Sequence, residues 1–178
     1  DGTVLTAGQT IRFDQSETPG DATRIGLLHP DIFAALQPGA RLLIDDGRLM
    51  VKVTSISDDS FDAEVMVGGP VSSRKGVNLP DLVLDSKPLT EKDIADLEYA
   101  LVHGVDWVAL SFVQRARDII DAKALIGDRA ALIAKIEKPS ALAELADIVS
   151  ASDGVMVARG DLGVELPPEE VPGWQKQI

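Results

Sequence analysis

The sequence predicts an α/β chain in two parts: a β-rich stretch over residues 1–86, then a helix–strand alternation over residues 87–178. Two observations predict it. In the first part, apolar residues recur with a period near two between Gly and Pro turns. In the second, short apolar runs alternate with stripes at helical spacing, the pattern of parallel strands joined by crossover helices. Composition bounds the core: 45% of residues are hydrophobic but only 4% aromatic, so the chain folds, and on a mainly aliphatic interior.

In chain order, Thr10-Ile11-Arg12-Phe13 alternates apolar and polar. Arg41-Leu42-Leu43-Ile44 and Leu49-Met50-Val51 flank Asp45-Asp46-Gly47, the spacing of a hairpin. Phe61 to Val67 alternates again. Pro19-Gly20, Pro38-Gly39 and Gly68-Gly69-Pro70 punctuate these runs. Short strands with tight turns suit a small barrel or a sandwich. His29 before Pro30 is read as part of a turn.

The second part opens on Thr90 and Asp93, a capping box with Asp in place of Glu. Ile94, Leu97 and Leu101 follow at helical spacing, ended by His103-Gly104. Val105 to Val113 reads as a buried strand, with Trp107 packed in the core. Ile119, Ala122 and Ile126 make a second helix stripe. Ala131 to Ala134 makes a second strand, and Leu142, Leu145, Ile148 and Val149 one further helix. Gly154 to Ala158 is the third buried strand, and Trp174 onward reads as the opening of a helix. The pattern alone fits an open doubly wound sheet or part of a barrel. About 90 residues fall well short of the ~250 of a complete eight-stranded barrel.

The net charge of −12, spread evenly over both parts, argues against nucleic acid or an anionic membrane as partner. Cysteine is absent, which excludes disulfides, thiolate metal sites and a cysteine nucleophile. No run approaches the ~18 to 20 apolar residues of a membrane span. The two histidines, His29 and His103, have no partners that suggest catalysis. Asp1-Gly2-Thr3-Val4 has neither an initiator Met nor a signal pattern, so the chain reads as a piece of a longer one.

The chemistry gathers at strand ends. Lys135 and Glu137 stand two apart on one strand and share a face. They form a simple ion pair or part of a site. Arg159-Gly160-Asp161-Leu162-Gly163 follows the next strand, where two glycines bracket a carboxylate and either let backbone amides approach a ligand or form an ordinary strand-to-helix turn. Ligands bind at this end of parallel α/β sheets. Glu137 and Asp161 at equivalent ends of consecutive strands suit a hard cation such as Mg²⁺, completed by water and substrate oxygens. Lys135 beside them suits phosphoryl transfer or enolate chemistry. Ser72-Ser73-Arg74-Lys75-Gly76 either contacts a polyphosphate or closes a solvated loop. Asp45-Asp46 at the hairpin tip assists a metal–nucleotide or forms an ordinary turn.

Six segments in order then resemble the pyruvate kinase family. They are Leu43 to Gly47, Arg74 to Pro80, Leu89 to Asp93, Trp107 to Val113, Ala134 to Glu137, and Asp153 to Glu165. The resemblance implies a β-barrel lid over residues 1–86 and part of a (β/α)8 TIM-type barrel, its strands four to six, over residues 87–178. It implies phosphoryl transfer from phosphoenolpyruvate to ADP, giving pyruvate and ATP, with Mg²⁺ or Mn²⁺ and, in many members, K⁺. Carried over by position, it implies Lys135 as the catalytic cation and Glu137 and Asp161 as metal ligands. It implies Ala158, Arg159, Gly160 and Asp161 as the stretch holding the substrate carboxylate. It implies Phe112 as a residue lining the pocket with Ser111 in support, and Lys75 and Asp46 as residues that serve the nucleotide. Family segments that bind K⁺ and complete the pocket have no counterpart here, which implies little kinase activity from this chain alone. The resemblance also implies a cytoplasmic setting and a homotetrameric parent. Two other readings compete: another phosphoenolpyruvate- or pyruvate-utilising Mg²⁺ barrel, and a non-catalytic lid or scaffold module.

Overall fold

A computed structural model of the chain describes residues 2–82 and 89–178. The chain divides into two compact units, Asp1–Asp85 and Ser86–Ile178, each with its own core.

The first unit is built from β1 (Gly2–Leu5), β2 (Thr10–Asp14), β3 (Arg24–Gly26), α1 (Pro30–Ala35), β4 (Arg41–Ile44), β5 (Leu49–Ile56), β6 (Ser60–Val67), β7 (Gly69–Ser72) and β8 (Val77–Asn78). Six strands form one sheet in the order β3-β2-β6-β5-β4-β8, and β1 pairs with β7 as a separate ribbon. The period-two runs explain the layering. Ile11 and Phe13 of β2 point inward, as do Val51 and Val53 of β5 and Phe61, Ala63 and Val65 of β6. Phe13 and Phe61 are directly opposite in the β2–β6 register. Their rings stack at 4.8 Å, a cross-strand pair that adds to area burial. Leu5 and Val71 of the ribbon join the same core.

The expected hairpin forms, with Ile44 opposite Leu49. Asp45, Asp46 and Gly47 all have positive φ, 55°, 54° and 79°, and the Arg48 N–H closes the tip by donating to Asp45 O at 3.1 Å. One expectation fails here. His29-Pro30 opens a short helix, α1, instead of a turn. Proline suits a first helical position, since its missing N–H would be unpaired there anyway, and Ile32 anchors the helix in the core.

The second unit contains α2 (Glu91–Val102), β9 (Trp107–Leu110), α3 (Ala116–Ile126), a 3₁₀ turn (Gly127–Arg129), β10 (Ala131–Ile136), α4 (Pro139–Ala143), α5 (Leu145–Ala151), β11 (Gly154–Val157), α6 (Arg159–Glu165) and α7 (Val171–Gln177). Its three strands are parallel, in the order β11-β10-β9. Leu132, Ala134 and Ile136 of the central strand are fully buried against Leu97, Leu101, Ile119, Ala122, Ile126 and Ile148 of the helices. Ala131, Ile133 and Lys135, on the opposite face, are only half-buried. No helix among the described residues is long and apolar enough to cross a membrane.

Five expectations are corrected in this unit. The Val105–Val113 run yields a strand of only four residues. Trp107 is 54% exposed rather than in the core. It lies on the face opposite the helices and reaches across the sheet, to 3.6 Å from where a Cβ on Gly154 would stand. The third strand, β11, is half exposed because it is an edge strand. The single helix expected over Leu142–Val149 is two, broken at Glu144. Arg159–Gly163 is the opening of α6 rather than a turn.

Candidate active site

Register brings the strand ends together. Ala134 is opposite Leu110 and Ile136 is opposite Val157. Ser111 and Phe112 after β9, Lys135 and Glu137 at the end of β10, and Ala158 after β11 therefore meet at one edge of the sheet. Lys135 Nζ donates to Ser111 Oγ at 2.7 Å and lies 3.1 Å from Glu137 Oε2. The N–H of Phe112 donates to Glu137 Oε1 at 2.5 Å. Glu137 is 3% exposed. Burying a carboxylate so deeply is costly unless its oxygens are partnered, and here the cation and the amide donor each take one oxygen.

Phe112 is present for a reason the side-chain pattern does not contain. Its φ is +56°, in the left-handed region that non-glycine residues enter at a cost. That rotation aims its N–H at Glu137 while its ring stays 60% exposed. The feature missed at the sequence level is thus a backbone donor, and only an unexpected positive φ reveals it.

Asp161 stands in the first turn of α6, where a carboxylate complements the helix dipole. It is exposed, as are Arg159 and Gly160. Ala158 precedes the helix and its N–H donates to Ile136 O at 3.1 Å, which ties the helix start to β10. First-turn amides have no partner inside the helix. A Cβ on Gly160 would meet nothing within 4 Å, so the backbone there stays open to a ligand.

Glu137 and Asp161 suit a hard divalent ion by donor chemistry. Among the described residues no group of three or more His, Cys, Asp or Glu would hold a metal unaided. Mg²⁺ characteristically takes one or two carboxylates and fills its remaining positions with water and substrate oxygens. Sequence reasoning also passed over a second buried ion pair beside this edge, Lys138 Nζ to Glu165 Oε1 at 3.0 Å. No local periodicity signals a contact between residues so far apart.

The first unit carries the other candidates. Lys75 Nζ lies 2.9 Å from Asp45 Oδ1, and the Asp45 N–H donates to Gly76 O at 3.1 Å. The Arg74-Lys75-Gly76 segment is therefore pinned to the hairpin tip. The carboxylate holding Lys75 is Asp45; Asp46, beside it, is exposed. A cavity of about 420 Å³ opens nearby, with Phe13, Ile25 and Val71 as apolar lining and Ser73, Arg74 and Lys75 as polar lining.

A family model described as "Pyruvate kinase, barrel domain" matches residues 1–178. A pyruvate kinase of Agrobacterium vitis is 61% identical over 175 residues, covering 98% of this chain and 37% of that protein. A pyruvate kinase of Methylorubrum extorquens is 52% identical over 178 residues, covering 100% of this chain and 37% of that protein. One from Corynebacterium efficiens is 44% identical over 178 residues, covering 98% and 38%. The chain thus spans less than two-fifths of the length of these curated relatives.

Proposed function

This chain belongs to the pyruvate kinase family, and on that footing we propose that it supplies a β-barrel lid and part of a TIM-type catalytic barrel to a phosphoryl transfer between phosphoenolpyruvate and ADP. The observation that carries the reading is the Lys135, Ser111, Glu137 and Phe112 constellation at the ends of adjacent parallel strands.

Lys135 is an ammonium held in place by Ser111 and Glu137. It meets negative charge that develops on the transferring phosphoryl group and the enolate oxygen, and a fixed charge needs no reorganisation as the reaction proceeds. Glu137 and Asp161 would hold Mg²⁺ or Mn²⁺. That cation, when bound, supplies Lewis acidity that withdraws charge from substrate oxygens. The backbone of Ala158, Arg159, Gly160 and Asp161 offers first-turn amides to the substrate carboxylate. Phe112 presents an exposed ring beside Glu137 as a pocket wall. In the first unit, Lys75 and Asp46 are assigned to the nucleotide phosphates and their metal. K⁺ dependence, a cytoplasmic setting and a homotetrameric whole enzyme belong to the same proposal.

The test is a Mn²⁺ titration in the presence of oxalate, an enolpyruvate mimic, on this chain and on Glu137→Ala and Asp161→Ala. Saturable binding that both variants lose is the expected result. A folded chain that binds no Mn²⁺, or variants that bind like wild type, would overturn the assignment of these carboxylates.

A further inference from the structure

Lys138 and Glu165 form the most buried ion pair among the described residues, with side chains 11% and 1% exposed. Neither residue has a role in the chemistry assigned above. Withdrawing two charges from water is costly, so a pair buried this deeply is weak evidence for added stability and leaves open what else it does.

The geometry it imposes concerns α6. That helix has seven residues, and Gly160 and Gly163 are two of them. So short and glycine-rich a helix does not hold its shape by propensity. Its orientation comes from what it packs against: Leu162, fully buried, and Glu165. Asp161 precedes Glu165 by four residues and lies on the same side of the helix, one turn away. Lys138 directly follows Glu137. The pair therefore joins the end of the helix that carries one carboxylate to the residue beside the other.

Resting on the reading that Glu137 and Asp161 hold a divalent cation, we propose that Lys138 and Glu165 are positioning residues for it. Their ion pair fixes the rotation of α6 and thereby the reach of Asp161 toward the end of β10.

The test measures Mn²⁺ affinity by the paramagnetic resonance of the free ion, alongside the thermal unfolding midpoint, on the 178-residue chain. Lys138→Met/Glu165→Leu replaces the pair by apolar groups, a change that commonly leaves stability intact. It is expected to keep the midpoint and weaken Mn²⁺ binding about tenfold, the scale typical of residues that orient metal ligands. Glu165→Gln keeps the shape without the charge and should lose at least about threefold. Lys138→Arg keeps the pair and should remain within about twofold. A folded double variant with wild-type affinity overturns the proposal. If the double variant does not fold, wild-type affinity in Glu165→Gln does so instead. Asp161→Ala separates the two readings: wild-type binding that it abolishes, but that pair variants retain, sinks the positioning role alone. A wild type that binds no Mn²⁺, or an Asp161→Ala that binds normally, sinks the cation assignment and the positioning role together.

Discussion

At the scale of single residues, carboxylates set much of the architecture. Asp153 accepts from Lys123 Nζ at 2.7 Å and from the Leu132 N–H at 2.8 Å, linking α3 and the start of β10 to the approach to β11. The Lys123 ammonium, with the Leu132 amide, holds the Asp153 carboxyl below its ordinary value near 3.8. A carboxylate with a lower pKa folded than unfolded favours the folded state above the unfolded value, and that contribution disappears as pH falls through the folded value. Asp153→Asn should therefore be less stable than wild type at neutral pH. The gap should close as pH falls below about 4. Thermal midpoints of both proteins from about pH 6 to about pH 3 check this, and a gap independent of pH would contradict it. Much of the candidate site was legible at this scale. Period two places Lys135 and Glu137 on one face, where they meet at 3.1 Å, and the alternation of helix and strand places the segment carrying Asp161 directly after β11, the neighbour of β10. The Phe112 amide was not legible, because a positive φ at a bulky residue is imposed by surroundings and leaves no trace in hydrophobic pattern.

Among the elements, caps were the most readable features and helix breaks the least. Thr90 Oγ1 accepts from the Asp93 N–H at 3.1 Å, and Asp93 Oδ2 accepts from the Thr90 N–H at 2.9 Å. This reciprocal box satisfies two otherwise orphaned donors at the start of α2. Thr90→Ala should cost about 1 kcal/mol, read from urea unfolding at unchanged m-value. A loss below about 0.3 kcal/mol would show that the cap contributes little. The break at Glu144 has a tertiary cause. Its Oε2 accepts from the Ala116 N–H at 3.0 Å, at the start of α3. That bond serves a neighbouring helix while its own backbone departs from helical values, with φ −113° and ψ 23°. A stripe of Leu142, Leu145, Ile148 and Val149 carries no information about that distant amide. Likewise α6 was obscured by its glycines, since Leu162 and Glu165 supply through burial what the local sequence lacks.

Across the whole molecule, the two hydrophobic clusters share no residue. Ile11 is fully buried in the first and Ile119 in the second. Ile11→Val and Ile119→Val should each cost about 0.5–1.5 kcal/mol, and the double variant should lose their sum to within about 0.5 kcal/mol. Denaturant melts of the three variants test this, and a coupling of more than about 1 kcal/mol would show that the cores are not independent. The strand pairings also differ in how far along the chain they reach. In the second unit each parallel pairing joins neighbouring strands in sequence, β9 to β10 and β10 to β11. In the first, β2 pairs with β6, and β1 waits for β7, with Gly2 set against Ser72. Closing a long loop must be completed before its contacts can stabilise it, and folding slows accordingly. The ribbon of β1 and β7 is thus the late event in assembly: β1 leaves the ribosome with both edges bare and keeps them so until the strand ending at Ser72 has followed it out.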